Sequence, residues 1–132
     1  MIYCDTFAYK PTIKTLDMAE ENAQAAGFDN VQVAFIQVEE EDIEKESAVT
    51  KKLLKNLKWV CGKNNTRKVI LHSFAHLSES KANPEFTKQV FDHIEERLKN
   101  TGYEVEQTPF GYFLDLQVDA PGKSLARVFK SF

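Results

Sequence analysis

The chain has 132 residues, 42% of them hydrophobic and 28% charged, with a formal net charge of −3. That length makes one domain, residues 1–132, able to bury roughly two-thirds of the surface its unfolded chain exposes, and the composition is that of a folded globular protein. The negative balance excludes broad, non-specific nucleic-acid binding. No apolar run approaches the ~20 residues of a membrane helix, and the start Met1-Ile2-Tyr3-Cys4-Asp5 lacks a secretory signal.

In chain order, residues 1–4 predict a short strand, extended by Phe7, Ala8 and Tyr9 beyond a turn at Asp5 and Thr6. Leu16, Ala19, Ala23 and Ala26 recur at helical spacing, and Gly27 stands where such a helix would stop. Residues 31–38 are rich in β-branched side chains and predict a buried strand. The acidic block Glu39-Glu40-Glu41-Asp42 then opens a long helix. Its apolar stripe is Ile43, Thr50, Leu53, Leu54, Leu57 and Val60, and Cys61-Gly62 with Asn64-Asn65 ends it.

Residues 68–73 predict the next strand. Asn83 followed by Pro84 is a cap and first-turn pair for a second helix, with Phe86, Val90, Phe91, Ile94 and Leu98 on one face and Gly102 closing it. Residues 103–107 and 112–118 predict strands, and Pro121-Gly122 a turn before a last segment at 125–129. The order implies an α/β or α+β domain, a mixed sheet with two main helices. The closeness of the final strands predicts an antiparallel hairpin between them.

Cys4 and Cys61 show no metal-type spacing and fit a reducing, cytoplasmic setting. The lysines at 51, 52, 55, 58, 63 and 68, with Arg67, form a basic block after the acidic one. A solvated helix face explains it, as does a local contact with one end of an RNA.

His72 and His76 are four apart, but they span a strand end and a loop, with no third ligand nearby in sequence, so no metal site is expected. No cofactor is expected either, since the five glycines form no phosphate-cradling loop. Ser73 and Ser78 lack a nucleophile elbow. His76 follows an apolar strand between small and apolar neighbours. It is either satisfied by the backbone or available for proton transfer to a bound substrate. Pro109-Phe110-Gly111-Tyr112 is either a turn into a strand or a site where Gly111 admits a ligand close to the backbone.

These segments together resemble the archaeal threonyl-tRNA synthetase editing domain. Residues 33–39 look like its second strand and the turn after it; Phe74-Ala75-His76-Leu77-Ser78 and Pro109-Phe110-Gly111-Tyr112 look like its two pocket segments. Asp5 takes the place of an aspartate after the first strand. The resemblance implies a fold close to that of D-aminoacyl-tRNA deacylases, and ester hydrolysis at the 3′-aminoacyl-adenosine of tRNA. It implies His76 as the catalytic candidate. Val38 and Glu39 would hold adenosine through backbone groups, and Ser73, Ala75, Phe110, Gly111, Tyr112, Phe113 and Leu114 would line the pocket. That pocket would lie between the loop after Ser73 and the start of the strand at Phe110.

Where the family carries a tyrosine and a lysine after Pro-Phe-Gly-Tyr, this chain has Phe113 and Leu114, and Arg127 stands in place of a glutamate. A turn centred on Ala120 and Pro121 would set Leu114 opposite Arg127. Two functions follow: a deacylase for a mischarged ester such as serine on threonine tRNA, or a tRNA- or synthetase-binding module without turnover. The implied partners are the tRNA 3′ end and a threonyl-tRNA synthetase, with a homodimer left open and no membrane.

Overall fold

In the computed structural model of the protein, which describes residues 1–132, the chain begins with strand β1 (Ile2–Lys14). It turns back through residues 15–25 into an antiparallel partner, β2 (Ala26–Ile36). A 3-10 turn over Glu40–Lys45 leads into α1 (Glu46–Lys63) and then β3 (Lys68–Ser73). Next come α2 (Pro84–Lys99), β4 (Glu104–Gln107) and β5 (Tyr112–Asp119). The sheet order is β4-β3-β2-β1-β5, with β3 parallel to β2 and β4, and β1 antiparallel to β2 and β5. This is the expected α+β class: a mixed sheet with two main helices.

Both helices cover one face. Ala34, Val69, Leu71 and Val105 from the sheet meet Leu54, Leu57 and Cys61 from α1 and Val90, Phe91, Ile94 and Leu98 from α2. The Asn83 side chain caps α2, its Oδ1 accepting from the Phe86 N–H at 2.7 Å. The other face is covered by the sheet itself. Cys4, Phe7 and Tyr9 of β1 pack with Val31, Val33 and Ile70, flanked by Leu114 and Leu116 of β5, and the Phe7 and Phe35 rings meet edge-on at 6.5 Å. Both cysteines are buried, and desolvation pushes their thiols up, to about 11 for Cys4 and about 12 for Cys61.

Four expectations are corrected. First, residues 16–26 are not a helix, and Gly27 lies within β2, paired with Ala8. Of Leu16, Ala19, Ala23 and Ala26 only Ala19 is buried, so the helical spacing buries too little to override the strand pairing on either side. Second, no turn interrupts β1 at Asp5. Pairing lapses there opposite Asn30, whose φ is 53°, and the alternation of faces switches, so that Cys4 and Phe7 are both buried. Third, the acidic block forms its own 3-10 turn, not the first turns of α1, and Ile43 stays exposed.

Fourth, β4 and β5 do not form a hairpin. They occupy opposite edges of the sheet, β4 beside β3 and β5 beside β1. Residues 108–111 link the two edges: Thr108 N–H donates to Leu71 O at 3.0 Å, and Gly111 O accepts from Thr15 N–H at 2.7 Å. So short a link suffices because β1 coils over the sheet and carries β5 with it. Along the link, His72 Nδ1 lies 2.9 Å from Thr108 Oγ1, buried beside Phe35, and burial pushes this imidazole down to about 4.

Gly111 has φ +84°, and a Cβ there would lie 2.8 Å from Ala19 Cβ. Gly111→Ala should therefore destabilise by about 1–3 kcal/mol in urea unfolding. Gly62→Ala, on α1 with nothing within 4 Å, should instead be neutral or stabilise by up to about 1 kcal/mol. His72 makes a separate contribution to pH dependence. Its folded pKa lies below the unfolded value, so the unfolded state takes up the proton first. The associated stability is whole above about 6.5 and is lost as pH falls toward about 4. In His72→Gln the loss of stability between pH 7 and 4.5 should shrink by on the order of 2 kcal/mol, measured by unfolding at each pH.

Candidate functional site

The carboxyl ends of parallel strands β2 and β3 open onto a cavity of about 360 Å³. Such strand ends are where open α/β sheets commonly bind ligands, because the chain leaves the ladder there and frees backbone groups. One wall is the end of β2 and its continuation, Phe35 to Glu39; another is Phe74, Leu77 and Ser78 from the loop after β3. Val49 and Leu53 of α1 and Val90 of α2 form the floor, and residues 129–132 with Met1 and Ile2 close the remaining side.

Gln37 organises the mouth. Its Nε2 donates to the carbonyls of Ser78 at 2.7 Å and Ser80 at 2.8 Å, while its Oε1 accepts from the N–H groups of Leu77 at 2.6 Å and Ser78 at 2.7 Å. One amide thus meets both sides of the loop's backbone. Ser78 Oγ donates to Glu39 Oε1 at 2.7 Å, and Glu39 N–H donates to Asp42 Oδ2 at 2.8 Å, tying the loop to the start of the 3-10 turn. Val38 is buried and its carbonyl accepts from Ala82 N–H at 2.9 Å.

Of the residues singled out in the sequence, Val38 and Glu39 line the cavity. Ser73 is half-buried at the end of β3, paired with Ile36, and Ala75 is exposed. His76 is exposed and is not among the residues that line the cavity, against expectation; its ring lies against Phe74, centroids 4.9 Å apart. His72 packs on the same Phe74 ring at 6.0 Å, but its Nδ1 is committed to Thr108.

The second segment lies elsewhere. Phe110 packs on Phe91 at 6.2 Å, Gly111 faces Ala19 and Leu16, and the Tyr112 hydroxyl donates to Glu20 O. Phe113 is 64% exposed, and Leu114 packs against the second core opposite Pro11. The cavity is therefore bounded by β2 where the sequence placed Phe110, because β4 and the link after it flank β3 on its other side. Nor does Leu114 face Arg127. Arg127 bridges Ile2, nine positions along β1 from Pro11, and its guanidinium donates to the Pro121 and Ala120 carbonyls at 3.2 and 3.4 Å. Sequence reasoning passed over Gln37 and the 129–132 wall. A lone amide in the apolar run from Val33 to Val38 is the signal that marks Gln37.

A family model described as the Archaea-specific editing domain of threonyl-tRNA synthetase matches residues 1–132. Threonine–tRNA ligase of Thermococcus sibiricus is 30% identical over 134 residues, covering 99% of this chain and 21% of that protein. Those of Methanosphaera stadtmanae and Nitrosopumilus maritimus are 29% and 30% identical, covering 99% and 98% of this chain and 22% and 20% of theirs. The chain thus spans about a fifth of the length of these curated relatives. Among solved structures, the c-Myc DNA Unwinding Element Binding Protein shares the fold, with a TM-score of 0.66 over 91% of this chain and 89% of that one at 11% identity. By the family match along its whole length, the chain belongs to the archaeal editing domains of threonyl-tRNA synthetase.

Proposed function

We propose that the cavity at the ends of β2 and β3 receives the 3′-aminoacyl-adenosine of tRNA and that the chain hydrolyses a mischarged aminoacyl ester there, serine on threonine tRNA being the first candidate. The observation that carries this reading is the meeting of the two segments that resemble the family, residues 33–39 and 74–78, around one cavity. A mostly apolar recess with a few polar groups at strand ends suits a nucleoside, whose base needs an apolar slot and whose edges need backbone partners. An ester is hydrolysed by a positioned water and stabilisation of the developing oxyanion, so few side chains are obligatory. His76, exposed between the lining residues Phe74 and Leu77, positions that water or transfers its proton. A threonyl-tRNA synthetase, as the same polypeptide or a separate one, is the protein partner that the reading implies.

A second reading is binding without turnover. It is favoured by Leu114, packed with Leu116 beside the second core where the family resemblance implies a lysine. No helix of the chain is long and apolar enough to cross a membrane, and neither reading calls for one.

A deacylation assay over a panel of charged tRNAs, beginning with serine on threonine tRNA, separates the two. Turnover above the spontaneous rate supports the hydrolase; saturable binding of a stable aminoacyl-adenosine analogue with no turnover on any substrate supports the module. If the hydrolase reading holds, His76→Ala should lower turnover by roughly 10²-fold or more with stability unchanged, because the side chain is exposed. Gln37→Ala should release the 77–80 loop. The expected signs are faster amide exchange at Leu77 and Ser78 and weaker analogue binding in a protein that still folds. Unchanged exchange at those two amides would show that Gln37 does not hold the loop.

A further inference from the structure

We propose that the outward face of α1 is the docking surface for the sugar-phosphate backbone of the RNA whose 3′ end the cavity receives. The inference rests on the cavity reading above and extends it from the 3′ end to the stem behind it. At 100° per residue, Lys51, Lys52, Lys55, Lys58 and Lys63 fall within an arc of about 140° on α1, interspersed with Ala48, Trp59 and Gly62 and no acidic residue. The helix carries one carboxylate, Glu46 in its first turn, which pairs with His93 at 3.0 Å.

Of the chain's fourteen lysines ten have no carboxylate partner, and five of those ten lie together on this face. Lys14, Lys45, Lys88 and Lys99 each have a carboxylate partner, whereas none of the five on α1 does. In a chain of net charge −3, this concentrates unneutralised positive charge on one strip about 18 Å long. The strip also reaches the cavity. Val49 and Leu53, on the adjoining flank of the same helix, line it. Trp59, 42% exposed within the lysine face, has the Lys130 ammonium 5.9 Å from its ring, and Lys130 lines the cavity as well. Lysines meet phosphates as mobile point charges, and an exposed indole offers an unpaired base a surface to stack on. An anionic membrane is the weaker match. An interfacial helix inserts its apolar stripe, and here Leu54, Leu57 and Val60 are buried in the core.

The test uses the whole chain and the Lys51→Gln/Lys52→Gln/Lys55→Gln variant, with Trp59 fluorescence as the signal. The probes are a threonine-tRNA acceptor-stem minihelix ending in CCA, a stable 3′-seryl-adenosine analogue, and phosphatidylserine vesicles. The expected result is a minihelix Kd about ten-fold or more higher in the variant at low salt. The slope of log affinity against log salt should shrink by about 2–3, close to one for each phosphate that the variant no longer neutralises. Analogue affinity should stay the same. An unchanged minihelix affinity and salt slope, no minihelix binding by the unmodified protein, or lysine-dependent binding to vesicles in place of the minihelix would each overturn the proposal. If the unmodified protein binds the minihelix with the expected lysine dependence but not the analogue, the docking surface stands and the cavity reading fails.

Discussion

A five-stranded sheet has two apolar faces to keep from water, and the two helices of this chain cover only one. The second is buried by the sheet coiling on itself, so that the outer half of β1, with β5 beside it, lies over Val31, Val33 and Ile70. Other features follow from that constraint. The alternation switch at Asp5, opposite Asn30, lets β1 present Cys4 and then Phe7 to the same interior. The coil brings the two sheet edges within reach of the four-residue link 108–111. Gly111 has no side chain because Ala19 and Leu16 occupy the space beneath it.

Elements specified by neighbours in sequence were legible. The bounds of β3 and the start of α2 follow from an apolar run and from the Asn83-Pro84 pair, signals complete within a few residues. Elements specified by distant partners were not. The alanines at 19, 23 and 26 carry a helical spacing that the β1–β2 ladder overrides. The closeness of β4 and β5 in sequence suggests a hairpin until β5 is seen to pair with a strand from the other end of the chain. The same limit governs the site. Residues 33–39 and 74–78 end adjacent strands and converge, whereas residues 110–114 belong to the link and the far edge, and periodicity says nothing about sheet closure.

The mouth of the cavity depends on few side chains. A single primary amide, Gln37, holds the loop after β3 through both its donor and its acceptor, and Ser78, Glu39 and Asp42 extend that hold to the 3-10 turn. The ring of Phe74 stands between this scaffold and His76, giving an exposed imidazole a fixed base without burying it. That combination, a held loop and an exposed imidazole, suits a site in which the substrate brings most of its own reactive groups.

The pairing of β1 with β5 also bears on how the chain reaches this structure. Thr6 and Asp119, partners in the ladder, are 113 positions apart, so β1 cannot be paired on both sides until nearly all of the chain is available. During synthesis the N-terminal hairpin emerges first, with Phe7 and Tyr9 uncovered and one edge open, and it stays so until residues 112–119 arrive. Contacts of such separation slow folding and lengthen the exposure of strand edges to other chains. For this domain, the vulnerable interval is therefore the time a ribosome takes to travel from β2 to β5.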